Sequence, residues 1–135
     1  MFSDNLIQLR KMKSMSQEEL AEKVDVSRQT LSKWETGESL PDIEKSMMLA
    51  EIFGVTLDDL VNFESPIEGL GVPPKGKHVF GVVSVGDKGQ IVIPAKARKV
   101  FNIKAGDHLI MIGDEERGIA IIKQQDLFTT LKKNF

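Results

Sequence analysis

SQEELAEKVDVSRQTLSKWE, residues 16–35, decides the architecture of the first half of this chain. It reads as two short helices joined by a turn of fixed length. Ser16, with Glu19 three residues on, makes a capping box over the free amides of a first turn. Leu20, Ala21 and Val24 then fall on one face at helical spacing, and Ala21 is small where two helix backbones must approach. Asp25 occupies the break and Val26 plugs it. Ser27 caps a second helix whose apolar Leu31 and Trp34 point back at the first. The outer face of that second helix is left with Arg28, Gln29, Ser32 and Lys33. Side chains of this kind, rich in hydrogen-bond donors, reach base edges in a major groove, so the segment predicts a reader of duplex DNA.

The flanking sequence extends the pattern on both sides, as LIQLRKMKSMSQEELAEKVDVSRQTLSKWETGESLPDIEKSMMLAEIFGVTLDDL. Two further helices are predicted near Ile43–Phe53 and Leu57–Val61, with Gly54 as a stop and Thr56 as the next cap. Residues 4–61 resemble the Cro-and-lambda-repressor-type (XRE) helix-turn-helix domain through S-Q-E-E-L-A, V-S-R-Q-T-L-S-K-W-E and T-G-E-S-L-P-D. Asp25 stands where that family usually has Gly, a tolerable exchange because Asp enters left-handed backbone more readily than most residues.

The resemblance implies an all-α five-helix domain over 1–63 whose helix from Ser27 to Glu35 enters the major groove. It implies a DNA-binding set of Gln17, Ser27, Arg28, Gln29, Ser32, Lys33 and Thr36. Gln29 suits adenine and Arg28 or Lys33 suits guanine. Gln17 opens its helix, where side chain and amides can hold a phosphate, and Thr36 is placed for phosphate contact just after the reading helix. By the same resemblance Arg10 pairs with Glu35 as a structural ion pair, and Trp34 belongs to the core. Lys11 and Lys13 lie beside this set, within reach of the phosphate backbone.

Formal net charge is −2, which suits a DNA binder only once it is divided along the chain. Residues 1–65 hold 7 basic against 13 acidic groups, and residues 66–135 hold 11 against 7. Within the first part, residues 10–37 are nearly balanced at 6 against 5, whereas 38–65 have 1 against 7. The acidity therefore follows the reading helix, and local charge governs phosphate affinity. Cys is absent, which removes disulfides and thiolate metal sites. No apolar run reaches membrane-spanning length and no signal-peptide pattern opens the chain, so a cytoplasmic protein with no membrane partner is expected.

Residues 64–76, ESPIEGLGVPPKG, break the pattern with three Pro and three Gly. They are expected to form a linker, spanning at most about 43–47 Å when fully extended. Beyond it the period changes. HVFGVVSVG (78–86) reads as a strand, DKGQ as a tight turn and IVIP as a strand ended by Pro94. AKARKVF fits a brief helix, Leu109–Ile112 and Ile119–Lys123 a hairpin around DEERG, and Leu127, Phe128 and Leu131 a closing amphipathic helix over 125–135.

The string VVSVGDKGQIVIPAKARKVFNIKAGDHLIMI, within 79–123, resembles the AbrB-type (SpoVT/AbrB, MazE-like) swapped-hairpin domain. That resemblance implies an intertwined homodimer built on residues 77–124, in which two copies close one β-barrel. Size argues the same way, because about 45 residues of short strands bury too little surface alone. The expected fold is thus α+β and multidomain, a helical DNA-binding domain joined by a linker to a swapped-hairpin β-barrel dimer.

Residues 75–104 carry seven basic groups against Asp87 alone, which makes Lys88, Lys96, Arg98 and Lys99 auxiliary DNA-binding candidates. Arg98 and Lys99 match family positions of that kind. Gln90 stands where the family has Arg, and Val83 where it has another basic residue, so this half is assigned to phosphates and the helices to bases.

His78 and His108 lack the carboxylate or Cys company of a metal site, and Asp114, Glu115 and Glu116 read as a charged hairpin turn. Met12, Met15, Met47, Met48 and Met111 are read as gap-filling core. No nucleophile–base pair, phosphate-cradling Gly loop or paired catalytic carboxylates can be found, so no enzyme, metal or cofactor is expected. The expected function is sequence-specific transcriptional regulation by a homodimer on double-stranded DNA. The alternative is an antitoxin-like protein that binds a toxin partner and autoregulates through DNA.

Overall fold

The computed structural model describes residues 1–134 and divides the chain into two compact units, Met1–Val82 and a second that begins at Val83. In the first unit five helices follow one another: α1 (Phe2–Met12), α2 (Gln17–Lys23), α3 (Arg28–Thr36), α4 (Ile43–Phe53) and α5 (Leu57–Asn62). The starts of α2 to α5 are set by side-chain caps. Ser16 and Glu19 form the reciprocal capping box on α2, while Ser27, Asp42 and Thr56 each accept the amide three residues on. Their ends follow from backbone geometry. Gly37 and Gly54 take left-handed conformations, at φ 79° and 66°, that stop α3 and α4. Asp25 takes φ 56° in the turn between α2 and α3, the strained position for which its short polar side chain is tolerated.

Every helix sends one face into a single core. Phe2, Leu6 and Leu9 of α1 meet Leu20, Ala21 and Val24, then Leu31 and Trp34 of α3, Leu49, Ala50 and Phe53 of α4, and Leu60 of α5. Leu6, Leu9, Leu20, Val24, Leu31, Leu49 and Leu60 are fully buried, each stabilising the fold by about 1.5–3 kcal/mol through area removed from water. Met15 and Met48 pack against this core, but Met12, Met47 and Met111 are exposed, which corrects their reading as gap fillers. On α4 the buried positions are Ser46, Leu49, Ala50 and Phe53, so Met47 lies off that stripe.

Tertiary hydrogen bonds at two places fix the edges of the unit. Asn5 is buried, and its Nδ2 donates to the carbonyls of Asp59, Leu60 and Phe63 at 3.0–3.3 Å, which satisfies the C-terminal end of α5. The stretch expected to act as a linker also joins the core. Val72 is 5% exposed, its N–H donates to Gln8 Oε1 at 3.2 Å, and the Lys75 N–H donates to the Gly54 carbonyl at 2.8 Å. Sequence composition alone hid this, because proline and glycine mark loss of helix and not loss of packing.

In the second unit α6 (Ala95–Val100) precedes a two-stranded antiparallel sheet, β1 (Leu109–Asp114) and β2 (Gly118–Lys123), with Leu109 opposite Lys123 and Asp114 opposite Gly118. Asp114 Oδ1 accepts the Glu116 amide at 2.9 Å, so the charged turn is an Asx turn. One turn of 3-10 helix (Gln124–Asp126) leads into α7 (Leu127–Asn134), with Leu127 half-buried and Phe128 exposed. Phe135, the last residue of the expected closing helix, lies outside the described residues.

The strands expected at 78–86 and 91–94 form no ladder among the described residues. Their turn is made nonetheless, with Gly86 N–H donating to the Gln90 carbonyl at 2.8 Å and Lys88 N–H to Gln90 Oε1 at 2.9 Å. On either side of it Val82, Val85 and Val92 are 72%, 69% and 77% exposed. The physical reason is pairing: among the described residues neither segment meets a strand that could complete a ladder beside it, so the valines stay in solvent.

Candidate nucleic-acid interface

Helix α3 is held from behind and open in front. Leu31 and Trp34, the latter 4% exposed, anchor it in the core against α1 and α2. On the opposite side Arg28, Gln29, Lys33 and Thr36 are exposed and Ser32 is half-buried. The spacing that buries Leu31 and Trp34 is the spacing that turns the donors outward. Ser27 sits before the helix as its cap, its Oγ accepting the Thr30 amide at 3.0 Å. Thr36 closes the helix, its Oγ1 donating to the Lys33 carbonyl at 3.2 Å.

Behind this surface runs a chain of polar contacts. Arg10 and Glu35 meet, with Arg10 Nε donating to Glu35 Oε2 at 2.6 Å and Nη2 to Oε1 at 3.0 Å. Arg10 Nη1 also donates to the Met15 carbonyl at 2.9 Å. Gln17 Nε2 donates to Glu35 Oε1 at 3.0 Å, and Gln17 Oε1 accepts from Arg28 Nη1 at 3.2 Å. The pair is sheltered, with side chains 13% and 5% exposed. Burial pushes the Glu35 carboxyl up, yet hydrogen bonds from Arg10 and Gln17, and the charges of Arg10 and Lys11, outweigh it and hold the group below its ordinary value. The hydrogen bond to Glu35 raises Arg10 in turn, against the opposing effect of its burial.

Gln17 is therefore more than a first-turn polar residue. It bridges the buried ion pair to Arg28, and so couples the entry of α2 to the first residue of α3. That linkage is invisible in sequence, because the positions lie 11 and 18 residues apart with no periodic relation. Asn5 escaped for a similar reason, since a lone Asn in a helix carries no sign of the carbonyls it will meet.

The auxiliary candidates lie in the second unit. Lys96, Arg98 and Lys99 are exposed on α6, which Ala97 fastens from below, and Lys88 is exposed in the turn. Arg98 Nε donates to the Ile93 carbonyl at 3.1 Å. Gln90, at the position of the family arginine, folds its amide back onto its own turn. His78 stacks on Phe80 with ring centroids 5.4 Å apart. Among the described residues no group of three or more His, Cys, Asp or Glu is placed to hold a metal, and no helix is long and apolar enough to cross a membrane.

Residues 6–60 match the HTH_3 helix-turn-helix family, and residues 82–127 match the MazE family of antidote-toxin recognition, described as bacterial antitoxins. The chain is 42% identical over 66 residues to the HTH-type transcriptional activator BcrR of Enterococcus faecalis, covering 49% of this chain and 32% of that protein. It is 35% identical over 65 residues to the uncharacterized HTH-type transcriptional regulator YqaE of Bacillus subtilis (strain 168), covering 48% and 56%. A third relative, the uncharacterized HTH-type transcriptional regulator MJ0272 of Methanocaldococcus jannaschii, is 36% identical over 55 residues, covering 41% of this chain and 83% of that protein. The chain thus spans about a third of the length of the first and just over half that of the second. With a helix-turn-helix matched in sequence and most of MJ0272 covered, the chain belongs to the family of HTH-type transcriptional regulators.

Proposed function

We propose that this protein is a sequence-specific DNA-binding transcriptional regulator that acts as a homodimer. The observation that carries the reading is the exposure of Arg28, Gln29 and Lys33 on a helix whose Trp34 is fixed in the core of a matched helix-turn-helix. Bases are read from this face, each good bidentate pair contributing about 1–3 kcal/mol of discrimination. Ser32 shares this face, and Gln17, Ser27 and Thr36 surround it at the phosphate level. Lys88, Lys96, Arg98 and Lys99 add sequence-independent phosphate contacts, whose strength falls steeply with salt.

Dimerisation is assigned to the MazE-like part, with 1–63 as the reading domain and 77–124 as the exchanged hairpins of a closed barrel. Support comes from the match over 82–127 and from the bare valines flanking the 86–90 turn. Two copies place two α3 helices in successive major grooves, with half-sites about 34–36 Å apart in the usual dimer geometry. Selection of bound sequences followed by footprinting tests the assignment. Arg28→Ala and Gln29→Ala should relax sequence preference, whereas Lys96→Ala or Arg98→Ala should weaken all sequences alike. Unchanged preference in both α3 variants rejects the reading.

The same match over 82–127 favours a second reading, an antitoxin-like protein that also binds a toxin. Stoichiometric co-purification with the product of an adjacent gene, lost on truncation after Lys123, separates this reading from the first.

A further inference from the structure

Residues 70–75 lie on the helical unit instead of trailing from it. Val72 enters the core and Pro73 beside it is buried. The Val72 N–H is held by Gln8 of α1, and the Lys75 N–H by the carbonyl of Gly54 at the end of α4. Gly71 comes so close to Gln8 that a β-carbon there would stand 2.3 Å from Nε2. A larger residue there would push the Gln8 amide, whose Oε1 holds the Val72 N–H, out of its present position.

We infer that residues 70–75 are a strap that shortens the tether of each reading head and thereby selects the half-site spacings a dimer can bridge. This rests on the dimeric DNA-binding reading above. With the strap seated, the chain between Lys75 and the second unit is at most residues 76–82, a reach of about 23–25 Å fully extended. With it released, the tether runs from Glu64, just after α5 and Phe63, over residues 64–82, a reach of about 63–68 Å. Effective concentration falls roughly as the −3/2 power of tether length, so release lowers two-site binding at the preferred spacing about fourfold. It also admits spacings that the short tether forbids. Val72, Gln8 and Gly71 are on this account positioning residues for specificity, acting through tether length without touching DNA.

The test uses the full chain on duplexes carrying one half-site, or two half-sites separated by spacers changed in whole helical turns. Val72→Asp releases the strap. Gly71→Val displaces Gln8 without placing a charge in the core. An insertion of about twelve Gly and Ser residues after Gly76 lengthens the tether with the strap intact. Fluorescence of Trp34 in the core reports whether the helical unit remains folded.

All three variants should keep the single half-site affinity of the unaltered protein. They should lose about fourfold at the preferred spacing and gain binding at longer ones. If the insertion broadens the spacing profile while folded Gly71→Val and Val72→Asp keep the original one, the strap does not set it. If none of the three changes the profile, tether length is irrelevant and the inference falls. Failure of the unaltered protein to select any half-site overturns the DNA reading itself, a result distinct from both.

Discussion

Replacing Glu35 with alanine tests whether the buried ion pair holds the reading helix in place. The substitution removes both hydrogen bonds from Arg10 and the one from Gln17. Arg10 is then a sheltered cation whose remaining partner among the described residues is the Met15 carbonyl. Breaking a buried pair on one side costs about 3–5 kcal/mol, and the lower end applies because Arg10 is 13% exposed and can turn toward water. A loss of about 3 kcal/mol lowers the midpoint of a domain this size by about 12–24 °C, at 4–8 °C per kcal/mol. Trp34 is the only tryptophan and lies in the helical core, so its fluorescence follows this unit and not the second one. The paired variant Arg10→Met with Glu35→Leu should come within about 1 kcal/mol of the unaltered protein, since well-packed apolar residues replace a buried ion pair at little cost. A midpoint shift under about 4 °C for Glu35→Ala would mean the pair behaves as a surface contact worth less than about 1 kcal/mol, which refutes the reasoning.

The same carboxylate makes stability depend on acid. Because its folded value is lowered, its contribution is complete above about pH 4.3, the unfolded value, and is lost as pH falls through the folded one; urea titrations from pH 7 to 3 should show the decline below about pH 4, with Glu35→Gln flattening it. Asp25→Gly should stabilise the helical unit by about 0.5–1 kcal/mol by relieving left-handed strain at φ 56°, read as a higher urea midpoint with unchanged slope. Ser27→Ala should cost about 1 kcal/mol through loss of the cap on Thr30, again by urea midpoint. Val85→Asp with Val92→Asp should convert the proposed dimer to monomer in sedimentation equilibrium, because both side chains are bare in a single chain and belong to the proposed exchange surface.

How much of this was legible in sequence depends on where each element finds its partners. The helices of the first unit announce themselves because their determinants are local: Ser16 with Glu19, Ser27, Thr56 and Gly54 each act within a turn of the element they bound. The core face of α3 follows from the spacing of Leu31 and Trp34 alone, and the outward donors follow from that face. Gln17, Asn5 and Val72 were opaque because their partners are reached only after the helices pack, across 18, 58 and 64 residues. The arms around residues 86–90 show the opposite failure: their apolar alternation is plain in sequence, yet one chain leaves Val82, Val85 and Val92 in solvent. A pattern that demands burial and a chain that cannot supply it point to burial by another copy, since exposed valines on both sides of one turn would otherwise favour aggregation. The helical unit encloses its own core and can present α3 as a monomer. On the proposed reading the second unit completes its core in pairs, and that asymmetry is what would let one polypeptide carry a self-sufficient reading head on a shared dimeric base.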